Sequence, residues 1–144
     1  MVSLLAMIRE DYLIRMVKQF AEALARLMKL REAGEHRAAL QIADGLYDEL
    51  GISRELVDVV DTPTLAGMLR DPERMRAAAQ LCWEEGHVFR SQGDPLTAAV
   101  RYRRAHELLL EARALAPLPE DDTALFELSR LVPAWQLDER YRDS

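Results

Sequence analysis

Glu84 and His87 form an E-x-x-H pair, the spacing in this chain closest to a metal-binding motif. Residues three apart on a helix share a face, and di-iron helical bundles combine two such pairs with two further glutamates. The other two histidines, His36 and His106, have no glutamate three residues before them. One pair cannot complete such a site, so we predict an exposed polar face here, with no metal and no cofactor.

Cys82 is the only cysteine, and it would need a neighbouring base to act as a nucleophile. His87 follows five residues later, which places it on a different face of a helix. The sequence contains no G-x-S-x-G motif, no Gly-rich phosphate loop and no H-E-x-x-H motif. We therefore predict a buried, inert thiol, no catalytic residues and no enzymatic activity. A lone cysteine cannot form an internal disulfide, which favours a reducing, cytoplasmic location.

The net charge of −6 argues against nucleic acid as the main partner, because phosphate binding requires a basic surface. A local basic cluster of Arg101, Arg103 and Arg104, together with Arg90, could nevertheless bind an acidic peptide or a phosphate. The alternative is a solvated face with pairs four residues apart, such as Arg103 with Glu107. We favour the solvated face.

The apolar residues recur with helical spacing, and no segment alternates for long like a strand. The pattern predicts an all-α chain with long helices over 3–33, 35–50, 72–92 and 95–115. Residues 51–70 are less regular and predict two short helices, and a further short helix ends near residue 131. No stretch approaches the roughly 20 apolar residues that a membrane span requires.

Helix starts are marked by capping residues. Asp71 and Asp94 each precede a proline, which suits the first helical position because proline has no amide to leave unpaired. Ser53 and either Asp61 or Thr62 are predicted to cap the two short helices. Asp121 or Asp122 is predicted to cap the helix that ends near residue 131. Residues 134–144 then form a frayed tail or a short docked segment, which Trp135 is expected to pin.

A spaced set of small and aromatic residues crosses the turn between the last two long helices: Gly86, Phe89, Gly93, Ala98, Tyr102 and Ala105. This set resembles the tetratricopeptide repeat, a helix–turn–helix unit in which small residues let antiparallel helices approach closely. A weaker copy upstream repeats the turn step as Gly34 and Ala39. The sequence departs from the repeat where Cys82 replaces a large aromatic residue.

The resemblance implies a single tetratricopeptide-like domain over 1–144, in which antiparallel hairpins form a right-handed α-α stack. Its parts would be a hairpin over 3–50, an irregular insert over 51–70, a hairpin over 71–116 and a C-terminal cap over 120–144. The opening residues 7–16 also resemble a bacterial tetratricopeptide-like family of unknown function. That likeness brings no activity with it and suggests Met7 as the natural start.

The resemblance implies a non-catalytic module that binds a protein or peptide segment in a helical groove. The first helix of each tetratricopeptide hairpin lines the concave face, which here would carry Gln80, Trp83, His87, Arg90 and Ser91. Trp83 is equally consistent with a core position. The wide apolar stripe near Leu4, Leu5, Ile8 and Tyr12 must pack on the insert, the C-terminal helix or a second protomer, and we hypothesise a homodimer. Alternatives are a helical bundle that binds a small hydrophobic ligand or a metal ion, and a purely structural subunit.

Overall fold

The computed structural model describes residues 3–143, without the side chains of residues 9 and 13. In this part of the chain the structure is all-helical and contains no strand. Its α-helices are α1 Leu4–Glu32, α2 His36–Glu49, α3 Arg54–Val59, α4 Thr62–Leu69, α5 Pro72–Ser91, α6 Pro95–Leu115 and α7 Pro119–Ser129. Two 3₁₀ turns follow, Ala134–Gln136 and Glu139–Tyr141. The all-α prediction and the positions of the four long helices are confirmed.

Four predicted caps are confirmed by their side-chain hydrogen bonds. Ser53, Asp61, Asp71 and Asp94 each precede a helix, and each side chain accepts a hydrogen bond from the amide three residues later. Such a bond satisfies one of the amides that the first turn of a helix leaves without a partner. The starts of α3 to α6 therefore follow from local chemistry.

The predicted cap of the last helix was wrong. The helix α7 begins at Pro119, and Asp121 lies inside its first turn, where its carboxylate accepts a hydrogen bond from the Leu118 amide at 2.8 Å. Proline favours the first helical position, which moves the start two residues before the predicted cap. Asp121 is also held from outside the helix, because Arg76 donates two hydrogen bonds to it at 3.0 and 2.7 Å.

The helices pack as two antiparallel hairpins, α1 with α2 and α5 with α6. The two hairpins are joined because α2 and α1 also pack against α5, and α4 and α7 pack against α6. The turns contain Gly34 at φ +78° and Gly93 at φ +80°, a region that residues with a side chain rarely adopt. The core lies between these layers and includes Leu27, Tyr47 and Leu108.

The C-terminal residues dock on the body, but not through Trp135. That side chain is 70% exposed, so the expectation that it pins the tail was wrong. Leu137 and Tyr141 are buried instead. Tyr141 donates a hydrogen bond to Glu111 at 2.7 Å, and the Asp138 amide donates one to Glu107 at 2.8 Å.

The first half of α1 extends beyond the hairpin. Every described side chain from residue 4 to residue 15 is exposed, and the burial of α1 begins near Phe20. Among its described residues, seven large apolar side chains are between 54% and 80% exposed: Leu4, Leu5, Met7, Ile8, Tyr12, Ile14 and Val17. They pack neither on the insert nor on the C-terminal helix, two of the three partners that the sequence left open.

None of the helices in the described part of the chain combines the length and the apolar character that crossing a bilayer requires.

Candidate functional site

The predicted groove residues share one side of α5 but differ in exposure. Gln80, Arg90 and Ser91 are exposed, whereas Trp83 and His87 are half-buried. Trp83 packs against the core, and its indole Nε1 is buried with no hydrogen-bond partner in the described residues. Trp83 is therefore neither a fully exposed anchor for a partner nor a fully buried core residue.

His87 is held by the neighbouring helix. Its Nδ1 lies 2.8 Å from the Tyr102 hydroxyl oxygen, and the two rings pack edge to face with centroids 5.4 Å apart. Burial lowers the pKa of His87, which favours the neutral ring near pH 7. A neutral ring already engaged by Tyr102 has one nitrogen left for a partner.

The residues of the repeat-like set lie at the interfaces within the hairpins. Ala39, Gly86, Ala98, Tyr102 and Ala105 are buried, and Phe89 is half-buried. Gly86 faces the ring of Tyr102 so closely that a Cβ placed there would clash with the ring. The absence of a side chain at Gly86 therefore lets the Tyr102 ring of α6 lie directly against α5.

Glu84 and His87 do not form an exposed polar face, so that prediction was wrong. The Glu84 carboxylate lies 3.4 Å from Nε of Arg31 on α1, and burial raises its pKa. His87 instead contacts Tyr102. Among the described residues, no three histidine, cysteine or carboxylate side chains converge as metal ligands. Glu84 and His87 therefore take part in two different interhelical contacts, the first with α1 and the second with α6.

Cys82 is fully buried, with its Sγ 3.2 Å from the hydroxyl oxygen of Tyr47. Burial raises the pKa of the thiol to about 11, so the nucleophilic thiolate is scarce at neutral pH. A thiol in this environment serves as packing rather than as a nucleophile.

The arginine cluster is not a solvated face, and this prediction was wrong. Arg101 and Arg104 are only 2% and 5% exposed. Arg104 donates hydrogen bonds to the Thr62 hydroxyl at 2.7 Å and to the Val60 carbonyl at 2.5 Å. The expected Arg103 partner, Glu107, instead accepts hydrogen bonds from the α4 helix and from the C-terminal segment.

Glu85 is the centre of a buried polar network that the sequence analysis missed. Its side chain is 0% exposed, and it accepts a hydrogen bond from Tyr47 at 2.5 Å. Arg54 lies 3.0 Å from one carboxylate oxygen and Arg101 lies 3.7 Å from the other. Burial raises the pKa of Glu85, while Arg101 opposes that rise. The spacing in the sequence could have indicated that Glu85 is buried. It follows Cys82 by three residues, which places both on the same face of α5.

A cleft of about 450 Å³ opens above this network, between α2, α3, α5 and α6. Its charged lining consists of Asp44, Asp48, Arg54, Glu55, Asp58 and Arg101. Arg54 lies across it, with its guanidinium carbon 5.4 Å from the centroid of the Phe89 ring and Nη1 3.5 Å from Asp44. Asp58 accepts a hydrogen bond from Arg101 Nη2 at 3.1 Å. The cleft is thus acidic at its rim and holds arginines inside.

A second cleft, of about 300 Å³, lies between α6, α7 and the C-terminal segment. Its walls include Leu110, Leu125, Phe126 and Leu137. His106 also lines it, is 8% exposed, and has its Nδ1 buried without a partner in the described residues. Burial lowers the pKa of His106, which favours the neutral ring near pH 7. The lining is therefore mixed: apolar side chains alternate with polar and charged ones, which include Arg113, Asp122 and Arg142.

Comparison of the chain with protein-family models, with curated proteins and with solved structures gives no match.

Proposed function

We propose that the chain is a non-catalytic protein-interaction module, built of tetratricopeptide-like helical hairpins in a right-handed stack, that self-associates through the first half of α1. The observation that carries the proposal is the exposed apolar surface between Leu4 and Val17. Large exposed apolar surfaces on soluble proteins mark interaction sites.

The exposed face continues the buried face of the same helix. Leu5, Ile8 and Tyr12 continue the helical spacing of Phe20 and Leu27. Those two residues lie deeper in the hairpin, where α1 packs against α2 and α5. The projecting segment is about 20 Å long at 1.5 Å per residue. A helix of that length is marginal in water on its own, so packing against a partner would stabilise it.

A second copy supplies a matching surface. Asp11 and Arg15 are both exposed and lie four residues apart, on one edge of the apolar face. In an antiparallel pair of α1 helices, the acid of one copy lies beside the base of the other, and the relation is reciprocal. A two-fold interface requires this kind of self-complementarity.

Light scattering on a size-exclusion peak tests the proposal. We expect the wild-type chain to elute at twice its mass of 16.4 kDa, and Ile8→Glu/Tyr12→Glu to elute at that single mass. The matched control is Leu96→Glu/Leu115→Glu, which adds the same charge at exposed apolar positions of α6 and should leave the dimer intact. A wild-type monomer at the highest soluble concentration would rule out self-association.

The second cleft favours another function, the binding of a small hydrophobic ligand that carries one polar group for His106. The leucine and phenylalanine side chains in the lining and the unpartnered Nδ1 support it. We expect the fluorescence of anilinonaphthalene sulfonate to rise on binding and Phe126→Arg to abolish the rise, while Leu96→Arg leaves it unchanged. Equal fluorescence in both variants would contradict this function.

A further inference from the structure

The cleft above Glu85 already holds one guanidinium. Arg54 lies over the face of Phe89 and between the carboxylates of Asp44 and Glu85. An aromatic face and flanking carboxylates are the chemistry that recognises a delocalised organic cation.

The lining of the cleft contains more acidic groups than basic groups. Its lining contains four carboxylates, from Asp44, Asp48, Glu55 and Asp58, against two arginines. Asp48 and Glu55 are exposed and form no ion pair within the described residues. These carboxylates do not converge on a point as metal ligands would, since no such cluster occurs in the described part of the chain. Their spread favours a cation larger than a metal ion.

Arg101 adds an independent requirement. It lines the same cleft, is only 2% exposed, and has its Nη1 buried without a hydrogen-bond acceptor in the described residues. An unpartnered buried donor is costly unless another group supplies the acceptor. A ligand that reaches this donor from the cleft would bring an acceptor oxygen as well as a positive charge.

We propose that the cleft binds an arginine side chain from a segment of another protein, with Asp48 and Glu55 facing its guanidinium and a main-chain carbonyl of that segment accepting a hydrogen bond from Arg101. An arginine within a peptide offers both required groups, since its charge and its flanking carbonyls are covalently linked. The volume of about 450 Å³ falls within the range of about 300–1,000 Å³ found for ligand sites. The site is separate from α1 and does not require self-association.

The test uses the full chain, labelled with ¹⁵N and titrated with N-acetyl-arginine methylamide. We expect the amide signals of Ser53, Glu55 and Thr97 to shift, since these residues line the cleft. The neutral analogue N-acetyl-citrulline methylamide should leave them unmoved. n-Butylguanidine, which has the same single positive charge but no carbonyl, should bind about tenfold more weakly, the loss expected for one hydrogen bond to a charged group.

A charge-matched pair of variants locates the site. Asp48→Asn/Glu55→Gln should reduce the affinity for the blocked arginine at least tenfold, whereas Glu120→Gln/Glu127→Gln, at exposed positions of α7, should leave it unchanged. All four side chains are exposed, and circular dichroism checks that both variants stay folded. Unchanged affinity in Asp48→Asn/Glu55→Gln, or equal binding of the citrulline analogue, would overturn the site.

Two further results would also overturn the proposal. Equal affinity for n-butylguanidine would remove the role of Arg101 and with it the peptide segment. Shifts of the same amides by Mg²⁺ alone would assign the rim to a metal ion. Each result leaves the light-scattering test of α1 unaffected, so the two proposals fail or stand separately.

Discussion

The ring of Tyr102 on α6 fills the space that a side chain at Gly86 on α5 would need. Three ring atoms, Cδ1, Cε1 and Cζ, lie at or within 3.0 Å of where a Cβ would be. Tyr102 is also fixed at its other end, because its hydroxyl contacts His87. The packing of Tyr102 against α5 therefore depends on the absence of one methyl group at Gly86.

Gly86→Ala should destabilise the fold by about 1–2 kcal/mol, since overpacking typically costs about 1–3 kcal/mol and the helix preference of alanine recovers up to about 1. Gly45→Ala is the matched control, because it also lies within a helix but has no atom within 4 Å of its Cβ position. That variant should gain about 0.5–1 kcal/mol. Urea unfolding of both variants measures the difference, and equal stability would show that the Tyr102 ring can move aside.

Removing Glu85 should be among the most damaging single changes in the chain. Glu85→Ala leaves the buried Arg101 with only the half-exposed Asp58 as a carboxylate partner, and loss of one member of a buried ion pair costs about 3–5 kcal/mol. Glu85→Leu/Arg101→Met should cost less than the sum of its single variants, because neither charge is then left alone. Arg113→Ala/Asp122→Ala, which removes an ion pair with a largely exposed acid, should have no measurable effect. Additive losses in the first cycle would contradict the coupling.

The contact between Arg76 and Asp121 should make stability depend on acid pH. The hydrogen bonds from Arg76 lower the pKa of Asp121 below its ordinary value. A lowered pKa stabilises the fold above the unfolded value of about 3.9, and this stabilisation disappears as the pH falls through the folded pKa.

Asp121→Asn should therefore be less stable than wild type by about 1 kcal/mol at pH 6, and the gap should narrow as the pH falls below about 3.9 and close below the folded pKa of Asp121. Asp122→Asn changes the next residue, which is 83% exposed, and should follow the wild-type profile throughout. Thermal unfolding from pH 2 to pH 7 provides the measurement, and a gap that persists at the lowest pH would assign the effect to packing.

The docked C-terminal segment should depend on Leu137 and not on Trp135. Leu137→Ala is expected to cost about 2–3 kcal/mol, within the range for truncation of a buried leucine, because its side chain is 3% exposed. Trp135→Ala should change stability by less than about 0.5 kcal/mol, as surface substitutions usually do. Comparable losses would mean that Trp135 contacts the body after all.

The sequence by itself determined the helices and most of their starts. Asp61, Asp71 and Asp94 cap the helices that they were predicted to cap, because capping links residues only three positions apart. The turn glycines Gly34 and Gly93 adopt positive φ for an equally local reason. The exception is α7, where a second local signal, Pro119, outweighed the carboxylates that follow it.

The tertiary structure alone decided which charged residues are buried. Arg101 shares its helical face with Ala98 and Ala105, a spacing that indicates burial, but a polar side chain in that line is also typical of a solvated edge. Its partners Asp58 and Glu85 lie on other helices and are distant in sequence. Whether a charge is paired inside or solvated outside depends on how separate helices stack, and spacing within one helix does not carry that information.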